Sequence, residues 1–198
     1  MSTPEGRPHL IGSRAADDLA FIRAAMERSS AFTAVPGAGG VAVGAIGLIA
    51  AVVGAWQPTD ERWLATWLGA ASIALVVELL AMTRKARRAG IALSGTSARR
   101  FALGTAAALV AGGAITYDLW AMRDFSVMAP AWLLLYGVGV LTGGMFSVPA
   151  VRALGACFMA AGFAASLTLP EWRNVWLGIG FGGLHAGFGA YIARHHGG

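Results

Sequence analysis

Six long apolar runs, separated by short charged or proline-containing segments, fill most of this chain of 198 residues. Only 13% of the residues are charged, whereas a soluble domain carries roughly 25%. A helix needs about 20 apolar residues to cross the hydrocarbon core of a membrane. Six crossings therefore use most of the chain, and the composition predicts an all-α integral membrane protein with one membrane domain.

The apolar runs also predict where each element begins and ends. A cytoplasmic tail and surface helix are expected at residues 1–37, followed by a six-helix transmembrane domain at residues 38–198. The six spans are expected at residues 39–56, 63–83, 101–117, 130–148, 150–169 and 172–192. Glycines occur throughout these spans, and pairs such as Gly183 and Gly187 have the spacing that lets membrane helices pack closely.

Residues 13–30 show helical periodicity before the first span. Leu19, Ile22 and Met26 fall on one face of this segment, while its charged residues fall on the other. The pattern predicts an amphipathic helix lying on the cytoplasmic surface of the membrane. A solvated helix packed on the rest of the protein is an equally good interpretation. Pro36 and the glycines after it are expected to separate this helix from the first span.

A short pattern recurs at the start of the even-numbered spans. Residues 63–69 read WLATWLG, residues 172–178 read WRNVWLG, and residues 132–137 read WLLLYG, with a tyrosine in place of the second tryptophan. A shorter echo occurs in each preceding span, at residues 44–47, 101–104 and 152–155. All three pairs of spans run in the same direction, so the pattern predicts three tandem, parallel helical hairpins about an axis along the membrane normal.

Interfacial anchoring is the alternative explanation of the tryptophans, because tryptophan is enriched where membrane and water meet. The predicted anchors are Trp63, Trp67, Trp132, Trp172 and Trp176. Anchoring does not explain the echo in the preceding spans, which favours internal repetition.

The basic residues predict the orientation. All but three of the 15 Lys and Arg lie in the N-terminal segment, in the loops after spans two and four, or at the C-terminus; the exceptions are Arg62, Arg123 and Arg173. The positive-inside rule therefore predicts that both termini are cytoplasmic. This distribution indicates that the net charge of +5 attracts lipid headgroups rather than nucleic acid. A protein partner at the cytoplasmic face and a homo-oligomer are further expectations.

Two ionisable residues lie within predicted spans. Glu78 and His185 are expected at similar depth, on helix faces rich in small residues, so both should point into the bundle and can pair there. Arg152, at the start of span five, is the rival partner for Glu78. Intramembrane carboxylates often mark a site for a ligand or a proton. The alternative is that Glu78 holds helices together through a hydrogen bond or an ion pair.

Motifs for catalysis and cofactor binding are weak. Residues 178–183 match GxGxxG, but a nucleotide site needs a preceding strand, and here the glycines lie in a predicted membrane helix. His185 has no second histidine within a span to share a metal or a haem. We therefore expect no cofactor, no metal and no catalytic residue.

Several segments together resemble an uncharacterised bacterial family of small six-helix integral membrane proteins. These segments are residues 17–23, 32–37, 132–137, 143–148 and 182–185. The resemblance implies a location in the bacterial inner (cytoplasmic) membrane, and it transfers no activity.

The favoured function is non-enzymatic binding of a protein partner or a lipid-like ligand. The alternative is a small-molecule transporter or channel that acts through the helical bundle, for which the spans offer few polar side chains. An enzyme is the least favoured interpretation.

Overall fold

Helices form where the apolar runs lie. The computed structural model describes residues 18, 19, 21 and 32–195. In these ranges the helices are α1 (Gly37–Ala55), α2 (Asp60–Ala89), α3 (Thr96–Ala121), α4 (Met128–Gly144), α5 (Pro149–Ser166) and α6 (Pro170–His195). The last helix starts with a 3₁₀ turn, Pro170–Trp172, and contains a π-helical stretch, Gly178–Leu184.

Five of these helices, all except α4, are long and apolar enough to cross a membrane, and α4 is a shorter apolar helix. The prediction of an all-helical protein is therefore confirmed for the described residues, with five helices that could cross a membrane. Most of the predicted surface helix at residues 13–30 lies outside these residues. Asp18, Leu19 and Phe21 are described, and all three are helical and exposed.

The charged segment between the second and third spans is mostly helical rather than a loop. The 30 residues of α2 run past the basic cluster at residues 84–88 and end at Gly90, whose φ of 65° is left-handed. Lysine and arginine favour helices, so their charges end the apolar run without ending the helix. Thr59 caps the other end of α2, where its hydroxyl accepts a hydrogen bond from the Arg62 N–H at 3.3 Å.

The first and last helices of the membrane domain pack against each other. Helix α1 contacts α2 on one side and α6 on the other, while α4 packs between α3 and α5. Helix α6 also touches α4 and α5, so it links the two groups. The contacts of α4 with α5 and of α1 with α6 are more extensive than those of α5 with α6. The predicted hairpins therefore do not pack as independent units, and their internal repetition stays a prediction.

Helices α2 and α3 lie at the periphery and make almost no contact with each other. Their exposed apolar side chains include Ile73, Leu75, Val76, Leu79 and Leu80 on α2, and Leu103, Leu109, Val110 and Ile115 on α3. A stretch of backbone outside the helices joins these two helices to α4. Phe32 bridges to Ser147, and its ring contacts Phe101 at a centroid distance of 5.1 Å.

Glycines allow α1 and α6 to approach backbone to backbone. A Cβ added to Gly44 would lie 2.5 Å from the Ala186 nitrogen and 2.7 Å from the Gly182 oxygen. Gly47 is equally close to the backbone of Phe181. No side chain at these two positions avoids the facing backbone, so the contact requires glycine. We call this contact, made by Gly44, Gly47 and Gly182, the glycine seam.

We predict that Gly44→Ala destabilises the protein. The added methyl group must push α1 away from α6, and overpacking of this kind costs about 1–3 kcal/mol. Gly69→Ala is the matched control, because a Cβ at Gly69 meets nothing within 4 Å. Thermal unfolding in detergent, followed by circular dichroism, should show a lower melting temperature for Gly44→Ala alone. Equal melting temperatures of the two variants would contradict the glycine seam.

Candidate functional site

His185 lies in the bundle interior, as expected, but its partner is a tyrosine. The ring follows the π-helical stretch of α6 and is buried. Its Nε2 lies 2.7 Å from the Tyr136 hydroxyl of α4, and the rings of Phe158 and Phe181 lie at centroid distances of 5.1 and 6.2 Å. His185 is therefore a core residue of an aromatic cluster, tied to α4 by one hydrogen bond.

Tyr136 is a residue that the sequence analysis did not select. It occupies the position of the second tryptophan in the repeated pattern, where the other two copies have Trp67 and Trp176. That departure from the pattern was the available signal, because a tyrosine replaces a tryptophan only in this copy.

Glu78 packs between α2 and α1 without the partners predicted for it. Its Oε2 is buried and accepts no hydrogen bond from the described residues, and it lies 2.8 Å from the position of a Cβ at Gly39. Neither His185 nor Arg152 forms an ion pair with it within the described chain. His185 is bound to Tyr136, and Arg152 is exposed in the first turns of α5. The expected Glu78–His185 pair and its Arg152 alternative are therefore not formed.

A cluster of aromatic and polar side chains holds α2, α4 and α6 together at the other end of the bundle. The Asn174 Oδ1 accepts hydrogen bonds from the indole N–H groups of Trp63 at 2.8 Å and Trp67 at 3.2 Å. Trp63 also stacks on Trp132, with centroids 5.4 Å apart and an interplanar angle of 2°. The Arg173 guanidinium lies 4.3 Å from the centroid of the Trp63 ring. We call these five residues the tryptophan clasp.

The five predicted interfacial anchors have different surroundings. Trp63 and Trp67 are buried in the bundle and bonded to Asn174, so they join helices instead of presenting a surface to lipid headgroups. Trp132 and Trp176 are half-buried, and Trp172 is 53% exposed. For these three, anchoring at the interface stays a prediction.

Three basic residues were exceptions to the charge asymmetry that predicts the orientation, and two of them form ion pairs. Arg123 forms an ion pair with Glu61, and Arg173 pairs with Asp60 at 2.7 Å. In the loop after α3, the hydroxyl and N–H of Ser126 both donate to Asp124, which lowers the pKa of that carboxyl. This end of the bundle therefore carries little uncompensated positive charge among the described residues.

A groove of about 650 Å³ lies between the start of α5 and the second half of α6. Its walls are mostly apolar and are formed by Pro149, Ala150, Ala153, Gly183, Leu184, Gly187, Phe188 and Tyr191. The spacing of Gly183 and Gly187 predicted that they pack against another helix. In the structure both are exposed, and a Cβ at Gly187 would meet nothing within 4 Å. The lack of side chains at these positions opens the groove instead of bringing helices together.

Neither the groove nor the polar interior shows a metal-binding arrangement. Across residues 32–195, no three or more His, Cys, Asp or Glu side chains come together in a group suited to a metal ion. Searches of protein-family models, curated proteins and solved structures found no match to this chain. The family resemblance drawn from the sequence therefore gains no support from them.

We predict that Asn174→Ala destabilises the protein by leaving two indole N–H groups without an acceptor. Each buried unsatisfied donor costs about 1–3 kcal/mol, so the melting temperature in detergent should fall clearly. Thr168→Ala is the matched control, because Thr168 also accepts an indole N–H, from Trp176 at 2.9 Å, but at an exposed site where water replaces it. Similar losses in both variants would show that Asn174 has no special role.

Proposed function

We propose that this chain is a non-enzymatic, multi-pass protein of the bacterial inner membrane that binds a lipid-like ligand in the groove between α5 and α6. The main support for this proposal is the groove itself. Its volume of about 650 Å³ lies within the range of about 300–1,000 Å³ that is usual for small-molecule sites. Its walls are apolar and open outward, so a ligand can enter from the hydrocarbon phase.

The length of the groove suits an acyl chain. From Gly183 to Tyr191 the helix rises about 12 Å, at 1.5 Å per residue. This is close to half of the roughly 30 Å hydrocarbon core. Helix α5 begins and helix α6 ends at the same side of the bundle, where Arg152 and Arg194 lie. The groove therefore matches the acyl region of a single leaflet.

The buried polar groups favour binding over transport through the bundle. Three polar residues are buried among residues 32–195, and each is bonded within the protein. The Thr116 hydroxyl bonds to Gly112 and Trp132, the Ser147 hydroxyl donates to the Phe32 carbonyl, and His185 bonds to Tyr136. Among these three residues, the His185 Nδ1 atom has no hydrogen-bond partner within the described chain, and the other side-chain groups are bonded. Glu78, whose Oε2 has no partner, is the observation that favours the transport alternative, because intramembrane carboxylates often lie on ion or proton paths.

The orientation and the repeat belong to the same proposal. Both termini are cytoplasmic, so the mouth of the groove faces the inner leaflet, and the basic segments there are the contact for a protein partner or a second copy. The ion pairs of Arg123 and Arg173 support this orientation, since they remove two of its three exceptions. The Trp63–Trp132 stack supports internal repetition, because these residues begin two copies of the repeated pattern.

Alkaline phosphatase fusions test the orientation. We expect activity for fusions after Asp60, Asp124 or Glu171, since the enzyme folds only outside the cytoplasm, and no activity after Arg88 or Arg152. Expression of every fusion is checked by immunoblot. An active fusion after Arg88 would reverse the orientation and place the groove in the other leaflet.

Filling the groove tests the function. Gly187→Leu should fold normally, because a Cβ there meets nothing within 4 Å, while its side chain occupies the space of the ligand. We expect native mass spectrometry to find retained lipid on the unaltered protein and at least a severalfold loss in Gly187→Leu. Gly113→Leu, in similarly open space on α3, is the control and should retain lipid. The proposal fails if the unaltered protein retains none, or if both variants retain it equally.

A further inference from the structure

We propose that the groove selects a phospholipid with an anionic headgroup, and that Arg194 is the residue that binds its phosphate. This inference rests on the proposed function, and it adds the chemical class of the ligand. It follows from the mouth of the groove, where the α6 wall ends in Arg194 and His195 and the α5 wall is the start of a helix.

The helical register places two basic side chains at the end of the α6 wall. Gly187 and Tyr191 line the groove, and Arg194 and His195 follow Tyr191 by three and four residues. Residues at these spacings share a helix face. Arg194 and His195 are exposed, so the face that is apolar inside the groove becomes basic at its mouth.

His195 is held in place at this mouth. Its ring stacks on the Tyr191 ring with centroids 4.3 Å apart and an interplanar angle of 25°. Its Nδ1 lies 2.9 Å from the Tyr191 carbonyl oxygen, which leaves Nε2 directed away from the helix backbone. Because Tyr191 itself lines the groove, His195 forms the rim beside Arg194 and supplies a second donor when protonated.

The opposite wall adds further positive potential. Pro149 and Ala150 line the groove and are the first two residues of α5, which has no side-chain cap. The start of a helix carries a partial positive charge, which favours phosphate. Pro149 has no N–H and the Val151 N–H donates to Val148, so the contribution of this wall is the helix dipole. Arg152 is exposed in the same first turn, but its Cγ lies beside Gly144 of α4 and it does not line the groove.

Within residues 32–195, the two helices that form the groove carry no acid at its mouth. Helix α5 contains no Asp or Glu, and the single acid of α6, Glu171, lies at its opposite end. Arg194 forms no ion pair within the described part of the chain. A zwitterionic headgroup brings its own cation into this region, whereas an anionic headgroup does not. The charge pattern therefore favours an anionic lipid.

The N-terminal segment is the competing occupant. The Phe32 N–H donates to the Phe146 carbonyl at 2.7 Å, three residues before Pro149, so Phe32 lies close to the start of α5. Leu19 and Phe21 of that segment are 67% and 68% exposed. The described part of the segment therefore does not bury its apolar side chains in the groove.

Lipid titrations of the full-length protein in detergent test the inference. Native mass spectrometry compares dioleoylphosphatidylglycerol with dioleoylphosphatidylcholine, which have the same acyl chains. A basic residue near an anionic lipid favours its binding about fivefold. We expect the unaltered protein to prefer phosphatidylglycerol by at least this factor. Arg194→Gln should lose about fivefold for phosphatidylglycerol and nothing for phosphatidylcholine.

Arg99→Gln is the matched control, because Arg99 is exposed at the same end of the bundle in the first turn of α3. It should leave both affinities unchanged. An equal loss in Arg99→Gln and Arg194→Gln would indicate general attraction and overturn the inference. Equal binding of the two lipids by the unaltered protein would overturn it as well. If Gly187→Leu still abolished binding in that case, the groove would remain the lipid site and the proposed function would stand.

A photo-crosslinking residue at Leu184 separates the two occupants. Labelling of phospholipid supports the inference. Labelling of residues 1–31 in place of lipid would identify the N-terminal segment as the occupant and overturn it.

Discussion

The backbone contact between α1 and α6 is the constraint on which the rest of the bundle depends. Lipid tails are as apolar as leucine, so membrane helices associate through close packing rather than through exclusion of water. Gly44 and Gly47 bring α1 against Gly182 and its neighbours, which joins the first helix of the membrane domain to the last. At one end of the bundle, the tryptophan clasp then ties α2 and α4 to α6 through Trp63, Trp132 and Asn174. These two sets of contacts position α1, α2, α4 and α6, and α3 and α5 pack on the two sides of α4.

The same residue type has opposite effects at two places on α6. Gly182 meets Leu48 of α1 and closes a helix contact, whereas Gly187, a little over one turn later, meets no neighbour. The difference arises because α6 packs more extensively on α1 than on α5. The groove is the space that this divergence leaves, and the basic residues at its mouth give it a chemical preference. The proposed function and its ligand class therefore follow from where α6 does and does not have a close partner.

Local properties of the sequence predicted the helices well, because hydropathy and turn residues act within a single segment. Their ends were predicted less well, because the second span was expected to end at residue 83 and the helix continues to Ala89. Helix partners depend on positions far apart in the chain and could not be predicted in this way. His185 and Tyr136 are 49 residues apart, and Asn174 and Trp63 are 111 apart. For the same reason the sequence indicated that Glu78 and His185 point inward, but it did not indicate that His185 forms its hydrogen bond with a tyrosine. The groove escaped prediction because Gly183 and Gly187 have the same spacing as packing glycines.

Cryo-electron microscopy of the protein in nanodiscs of mixed phosphatidylglycerol and phosphatidylcholine tests the helix packing and the groove together. We predict backbone contact between α1 and α6 at Gly44 and Gly182, together with an elongated density between α5 and α6 that ends beside Arg194. A map in which α5 closes on Gly187, or in which α1 and α6 are separated by lipid, would contradict this prediction.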